Sequence, residues 1–139
     1  MPHLDDADVR NAAFSWLERQ TELHGDVLNY QSLRKGFIVQ GVRIPLQTQR
    51  GIHKPAVMRD APLTITSTAK GPYADSFGDD GLLRYAYQRG GPDHPDNRGL
   101  RRAMREQLPL IYFHAVVKGE YLAAWPVFIV GDDPRRGFV

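Results

Sequence analysis

Between residues 6 and 23 the positions Val9, Ala12, Ala13, Trp16, Leu17 and Gln20 recur at steps of three and four, the spacing of one face of an α-helix. Acidic residues crowd the start of this stretch, where the positive end of a helix dipole favours them, and Gly25 follows its end. The pattern predicts an amphipathic helix. Farther on, GFIVQGVRIPL holds two apolar runs on either side of Gln40-Gly41, as in two short strands joined by a tight turn. Residues 47–62 carry Gly51, Pro55 and Pro62 without a sustained period and predict an irregular crossing segment, whereas LTITST (63–68) is rich in β-formers and predicts a strand.

The stretch AKGPYADSFGDDG (69–81) is dense in Gly, Pro and Asp but carries Tyr73 and Phe77, a loop with aromatic groups. In LLRYAYQ, Leu83, Tyr85 and Tyr87 alternate with Leu82, Arg84 and Ala86, as in a strand with two different faces. After a second loop, RGGPDHPDN, the residues Leu100, Ala103 and Met104 supply the apolar stripe of a short helix over 98–107, with Asp96 or Asn97 as its N-cap. LPLIYFHAVV and EYLAAWPVFIVG flank Lys118-Gly119 and predict two long apolar strands, the buried spine of the molecule, with Gly131 to Pro134 ending the second. The order of elements predicts a single α+β domain over 1–139. It is expected to be a strongly bent, mostly antiparallel sheet or partly closed barrel, with an N-terminal helix and one short later helix.

Composition narrows the function classes. At 139 residues, 42% hydrophobic and 24% charged, the chain resembles an average globular domain and not a disordered one. No apolar run approaches the roughly 20 residues that span a bilayer, and MPHLDDADVR is too acidic and polar for a signal peptide. A cytoplasmic protein without membrane contact is expected. With no cysteine, disulfides, thiolate metal sites and cysteine nucleophiles are excluded.

The net charge of +2 is modest, but its distribution is uneven. Arg84, Arg89, Arg98, Arg101, Arg102 and Arg105 fall in one stretch with only Asp93 and Asp96 between them. Arginine's planar fork matches phosphate oxygens and guanine edges better than a lysine ammonium does. The five histidines show no zinc spacing, Asp79-Asp80-Gly81 lacks the spaced oxygens of a calcium loop, and the serines lack a nucleophile elbow. No metal, cofactor or complete catalytic set is therefore expected. A paired-carboxylate mechanism on Asp75, Asp79 or Asp80 stays open, because sequence does not measure side-chain separation.

Nucleic acid is the partner that the pattern favours, since Tyr73, Phe77, Tyr85 and Tyr87 are interleaved with Arg84, Arg89, Arg98 and Arg101. Cations attract phosphate, and aromatic planes stack on an exposed base. Arg50, His53 and Lys54, in QRGIHKP, form a second set of phosphate contacts in this reading.

The ordered segments AAFSWLERQ, LRKGF, RIPL, GIHKP, DGLLRYAYQ, DNRGLRRAM and LPLIYFHAVVKGEYLAAWPVFIVGDD resemble the N-terminal region of bacterial HNH-type restriction endonucleases over nearly the entire chain. The resemblance implies a PUA/SRA-like DNA-recognition module. In such proteins a separate HNH domain cuts; no HNH motif occurs here, so this chain is expected to recognise and not to cleave. It also implies double-stranded DNA as partner, bearing a modified cytosine or another altered base, and places Asn97 of DNRGLRRAM among the DNA-binding residues.

The expected interface is thus Arg50, His53, Lys54, Arg84, Arg89, Asn97, Arg98, Arg101 and Arg102. The expected base pocket is formed by Tyr73, Phe77, Tyr85 and Trp125 as stacking groups, with Asp75 or Asp79 accepting from a cytosine amino group. Three rival readings stand beside it: a small-ligand or hydrolytic domain, a module whose arginines meet an acidic protein, and an RNA binder.

Overall fold

The computed structural model describes residues 5–48, 51–59, 61–67, 76–77, 82–88 and 90–139, with backbone alone at 76–77. Helix α1 (Asp6–His24) forms where the period places it. Asp5 caps it through Oδ1, which accepts from the Ala7 N–H at 2.8 Å, and it stops at Gly25, whose N–H donates to the Thr21 carbonyl. Its buried stripe is Val9, Ala13 and Leu17, one residue per turn. Arg10 is buried as well, and a helical stripe read for apolar residues alone misses it. Its Nη1 donates to the Pro109 carbonyl at 2.7 Å and ties α1 to the approach of the main hairpin. Burial holds the Arg10 pKa below its ordinary value, and the charge of Asp6 acts in the opposite direction.

The segment after α1 holds two elements that the sequence pattern does not disclose: strand β1 (Val27–Asn29) and helix α2 (Tyr30–Lys35). Both are too short to show a period. Asn29 caps α2 by accepting from the Ser32 N–H at 2.8 Å, and the Tyr30 N–H donates to Gly119 in the main hairpin turn. Strands β2 (Phe37–Val39) and β3 (Val42–Ile44) then form the expected hairpin. Gln40 and Gly41 both have positive φ, 48° and 80°, as a tight turn matched to strand twist requires.

Strand β4 (Ile52–His53) rises from the segment expected to be irregular, and β5 (Thr64–Ser67) forms within LTITST. The terminal hairpin pairs β8 (Leu110–Val117) with β9 (Glu120–Val127) around Lys118-Gly119. Between β5 and β8 lie β6 (Ser76–Phe77), β7 (Leu83–Arg84) and helix α3 (Pro95–Arg105). The five-stranded sheet runs β1-β9-β8-β5-β4. All of its pairs are antiparallel except β5 with β8, and a parallel pair needs a long crossing connection such as the one that contains α3.

The sheet is open, which corrects the expectation of a partly closed barrel. Its ends are β1 and β4, of three and two residues, and they do not pair with each other. Strands so short supply too few ladder bonds to close a barrel. The strand expected over LLRYAYQ is also divided. β7 pairs with β6, while Tyr85 exchanges both backbone hydrogen bonds with Val139 and the Tyr87 N–H donates to Gly137. The C-terminal residues thus complete the ladder beside Tyr85 and Tyr87.

Alternation along β8 divides the interior in two. Ile111 and Phe113 face α1, α2 and the β2–β3 hairpin, in a core with Val9, Leu17, Leu33 and Ile44. Tyr112 faces the other way, toward Ile52, Ile65, Tyr85, Tyr87 and Leu100 of α3. Among the described residues no helix is long and apolar enough to cross a membrane.

Two glycines separate conformational need from steric need. A Cβ at Gly36 (φ 67°) would stand 1.8 Å from the Ile44 carbonyl oxygen, whereas one at Gly41 (φ 80°) meets nothing within 4 Å. Gly36→Ala is expected to lower stability by roughly 2–4 kcal/mol. Gly41→Asn should stay within about 1 kcal/mol, because asparagine tolerates the left-handed region. Urea unfolding of both variants checks this pair; equal losses would contradict the Gly36–Ile44 contact.

Candidate nucleic-acid interface

Helix α3 starts three residues before the predicted position, at Pro95, and its cap is His94 instead of Asp96 or Asn97. The His94 Nδ1 accepts from the Asp96 N–H at 3.1 Å, and Pro95 occupies the first helical position, where its missing N–H costs nothing. Asn97, Gly99, Leu100 and Ala103 face inward. Arg98, Arg102 and Arg105 then stand at i, i+4 and i+7, on one outward face, with about 10 Å of helical rise from first to last.

That face meets the segment after β4. Lys54, Arg59, Arg98, Arg102 and Arg105 line one cleft of about 410 Å³, with Asp96 as the carboxylate among the described lining residues. Lys54 and Arg98 are separated by more than forty residues of sequence, and the fold brings them together. The Lys54 ammonium is anchored on the Met58 carbonyl at 2.8 Å. Arg102 Nε lies 2.5 Å from Glu106 Oε2. Arg98 and Arg105 are exposed.

The other expected interface residues are placed elsewhere. Arg101 turns to the Pro92 carbonyl and braces the loop before α3. Arg84 donates to the Leu82 carbonyl at 3.1 Å, and its guanidinium carbon lies 5.9 Å from the centre of the Phe138 ring. Two assignments are corrected. His53 is buried, with Nε2 2.9 Å from the Pro45 carbonyl, so its ring faces inward. Asn97 is 0% exposed: Oδ1 accepts from the Gln88 N–H at 2.7 Å, and Nδ2 donates to the Gln88 and Gly91 carbonyls at 2.8 Å each. Its amide is spent on the loop before α3 and has no surface to offer DNA. Arg50 and Arg89 lie outside the described residues.

Of the expected base pocket, Tyr73, Asp75 and Asp79 lie outside the described residues, as does the side chain of Phe77. Tyr85 and Trp125 are not brought together, because Tyr85 belongs to the core under α3 and Trp125 packs against the core under α1. The Tyr85 hydroxyl is held 2.8 Å from the Thr66 carbonyl and 3.2 Å from that of Gly51. Tyr85 is instead among the residues that line a cavity of about 590 Å³, with Leu82, Arg84, Tyr112, Phe128 and Phe138. Its sheet wall includes Tyr112, whose hydroxyl donates to Ser67 Oγ at 2.9 Å with His114 Nδ1 3.3 Å away. The C-terminal strap forms another wall, pinned where the Tyr87 hydroxyl donates to Asp132. Burial first, and then the bond and charge of Asp132, push the Tyr87 pKa up to about 12.

The cleft and the cavity adjoin. Ile52 lines the first and Ile65 the second, and the two are register partners across β4 and β5. Arg59, Tyr112 and Phe138 were missed by sequence reasoning. Arg59 and Phe138 lie in stretches without a period, and Tyr112 reads only as a strand residue. Arg105 belongs to the arginine stretch visible in the sequence, and its seven-residue step from Arg98 puts it on the same helix face. Among the described residues no cluster of three His, Asp or Glu side chains could hold a metal ion.

The two kinds of α3 residue should respond differently to truncation. Asn97→Ala is expected to cost roughly 2–4 kcal/mol, since it leaves buried backbone groups unpaired. Arg98→Ala should stay within about 0.5 kcal/mol. Urea unfolding measures both, and a neutral Asn97→Ala would contradict the buried clamp. No family model matches the sequence, and comparisons with curated proteins and with solved structures likewise find no match.

Proposed function

We propose that this chain is a DNA-recognition module of the PUA/SRA-like kind, which grips the backbone of duplex DNA in the α3 cleft and reads a modified base beside it. The observation that carries the reading is the convergence of Lys54, Arg59, Arg98, Arg102 and Arg105, from two distant segments, on one open cleft. Cations drawn together in this way repel one another in the free protein, and a polyanion relieves that repulsion. Arginines on a single helix face suit successive phosphates, because each presents a planar fork of donors.

The adjoining aromatic cavity supports the base-reading part. Tyr85, Tyr112 and Phe138 are among its lining residues, and aromatic side chains are the groups that stack on an exposed base. The restriction-enzyme likeness of the sequence adds the expectation that the base is an altered cytosine.

Binding of the purified protein to matched duplexes with cytosine, 5-methylcytosine or 5-hydroxymethylcytosine, at several salt concentrations, tests the proposal. With about four phosphate contacts, affinity should fall roughly 100-fold between 50 and 200 mM salt. Arg98→Ala and Arg105→Ala should each reduce the slope of log affinity against log salt by about 1. Tighter binding of one modified duplex supports base reading. Equal binding of all three leaves a nonspecific DNA binder, and absence of binding at low salt overturns the proposal in favour of an acidic protein partner or a small ligand.

A further inference from the structure

Glu106 stands out on the arginine face of α3. Its Oε2 lies 2.5 Å from Arg102 Nε, with the two side chains 47% and 44% exposed. Three features argue against a stabilising role for this pair. Ion pairs so exposed contribute little. An Arg four residues ahead of a Glu is the weaker order on a helix. Glu106 is also the C-cap residue of α3, where a negative charge meets the negative end of the helix dipole. What the pair does achieve is local: it occupies the Nε edge of a guanidinium that lines the cationic cleft. A fork that already holds a carboxylate on Nε does not offer that edge to a phosphate.

We infer that Glu106 is an internal competitor for phosphate at Arg102, a built-in brake on backbone binding that leaves more of the selectivity to contacts outside the backbone. The inference rests on the DNA-binding reading of the cleft. Phosphate must displace the Glu106 carboxylate to use the Nε edge of Arg102. Salt weakens that internal pair as it weakens the contact with DNA, so the two effects oppose each other in the wild-type protein. Removing the carboxylate takes away that competitor at the Nε edge.

The test is duplex-DNA binding by the wild-type protein, Glu106→Gln, Arg102→Ala and the double variant, across a salt series. Glu106→Gln should bind about two- to fivefold more tightly at low salt, with a slope of log affinity against log salt steeper by up to about 1. In the Arg102→Ala background the same change should have much less effect, which separates competition at Arg102 from simple removal of a negative charge. Urea unfolding should leave the midpoint of Glu106→Gln unchanged from that of the wild-type protein. Unchanged or weaker binding by Glu106→Gln, or an equal gain in both backgrounds, would overturn the inference while leaving the DNA-binding reading intact. Absence of DNA binding by the wild-type protein would overturn that reading itself, and the inference with it.

Discussion

Strand β8 is the constraint on which the architecture depends. It is paired along both edges, with β9 on one side and β5 on the other, and its side chains enter two different interiors. From Leu110 to Phe113 the strand has no fully exposed side chain, as burial on both faces requires of an apolar run, whereas His114, Val116 and Val117 in its second half are exposed. The parallel pairing with β5 then obliges the chain to cross from one end of the sheet to the other. Helix α3 lies in that crossing, with Leu100 on the second core and Ala103 beside Leu110. The position of the cationic cleft is therefore a consequence of the parallel pair.

How α3 is presented depends on a small polar device. The buried amide of Asn97 replaces three hydrogen bonds that the loop backbone at Gln88 and Gly91 would otherwise make with water. A polar group so enclosed is costly unless satisfied, and satisfying it with one side chain fixes both the loop and the helix start. Arg101 reinforces the same loop through Pro92. Two residues with the composition of a DNA contact thus work as internal braces. Arg98, Arg102 and Arg105 are left on the outer face.

The cleft and the cavity are linked through paired strands, Ile52 lining the one and Ile65 the other. The Ile52–Ile65 pair separates a cationic surface from an aromatic one, and a polymer of alternating phosphates and planar bases offers both kinds of group at neighbouring positions. Glu106 tempers the cationic side. Arg84, resting beside Phe138, places one further positive charge at the aromatic side. This juxtaposition of charge and ring, more than net charge, distinguishes the molecule from a domain with a generally basic surface.

Period and punctuation were legible in the sequence: α1 from its three- and four-residue steps, the β2–β3 hairpin from Gln40-Gly41, the β8–β9 hairpin from Lys118-Gly119, and an arginine-bearing helix after the second loop. These depend on neighbours within a few residues, which is the range over which backbone geometry and amphipathic pattern act. Tertiary structure alone decided the rest. Strands β1 and β4 exist only because an adjacent strand supplies their hydrogen bonds, and the C-terminal residues form a ladder because Tyr85 and Tyr87 are there to receive it. Burial of Asn97 and His53, the separation of Tyr85 from Trp125, and the meeting of Lys54 and Arg59 with α3 are likewise facts of packing. Residue type announces that an arginine or asparagine can bind an anion or a base, but which groups remain exposed is set by contacts between segments far apart in the chain, and no local pattern encodes those.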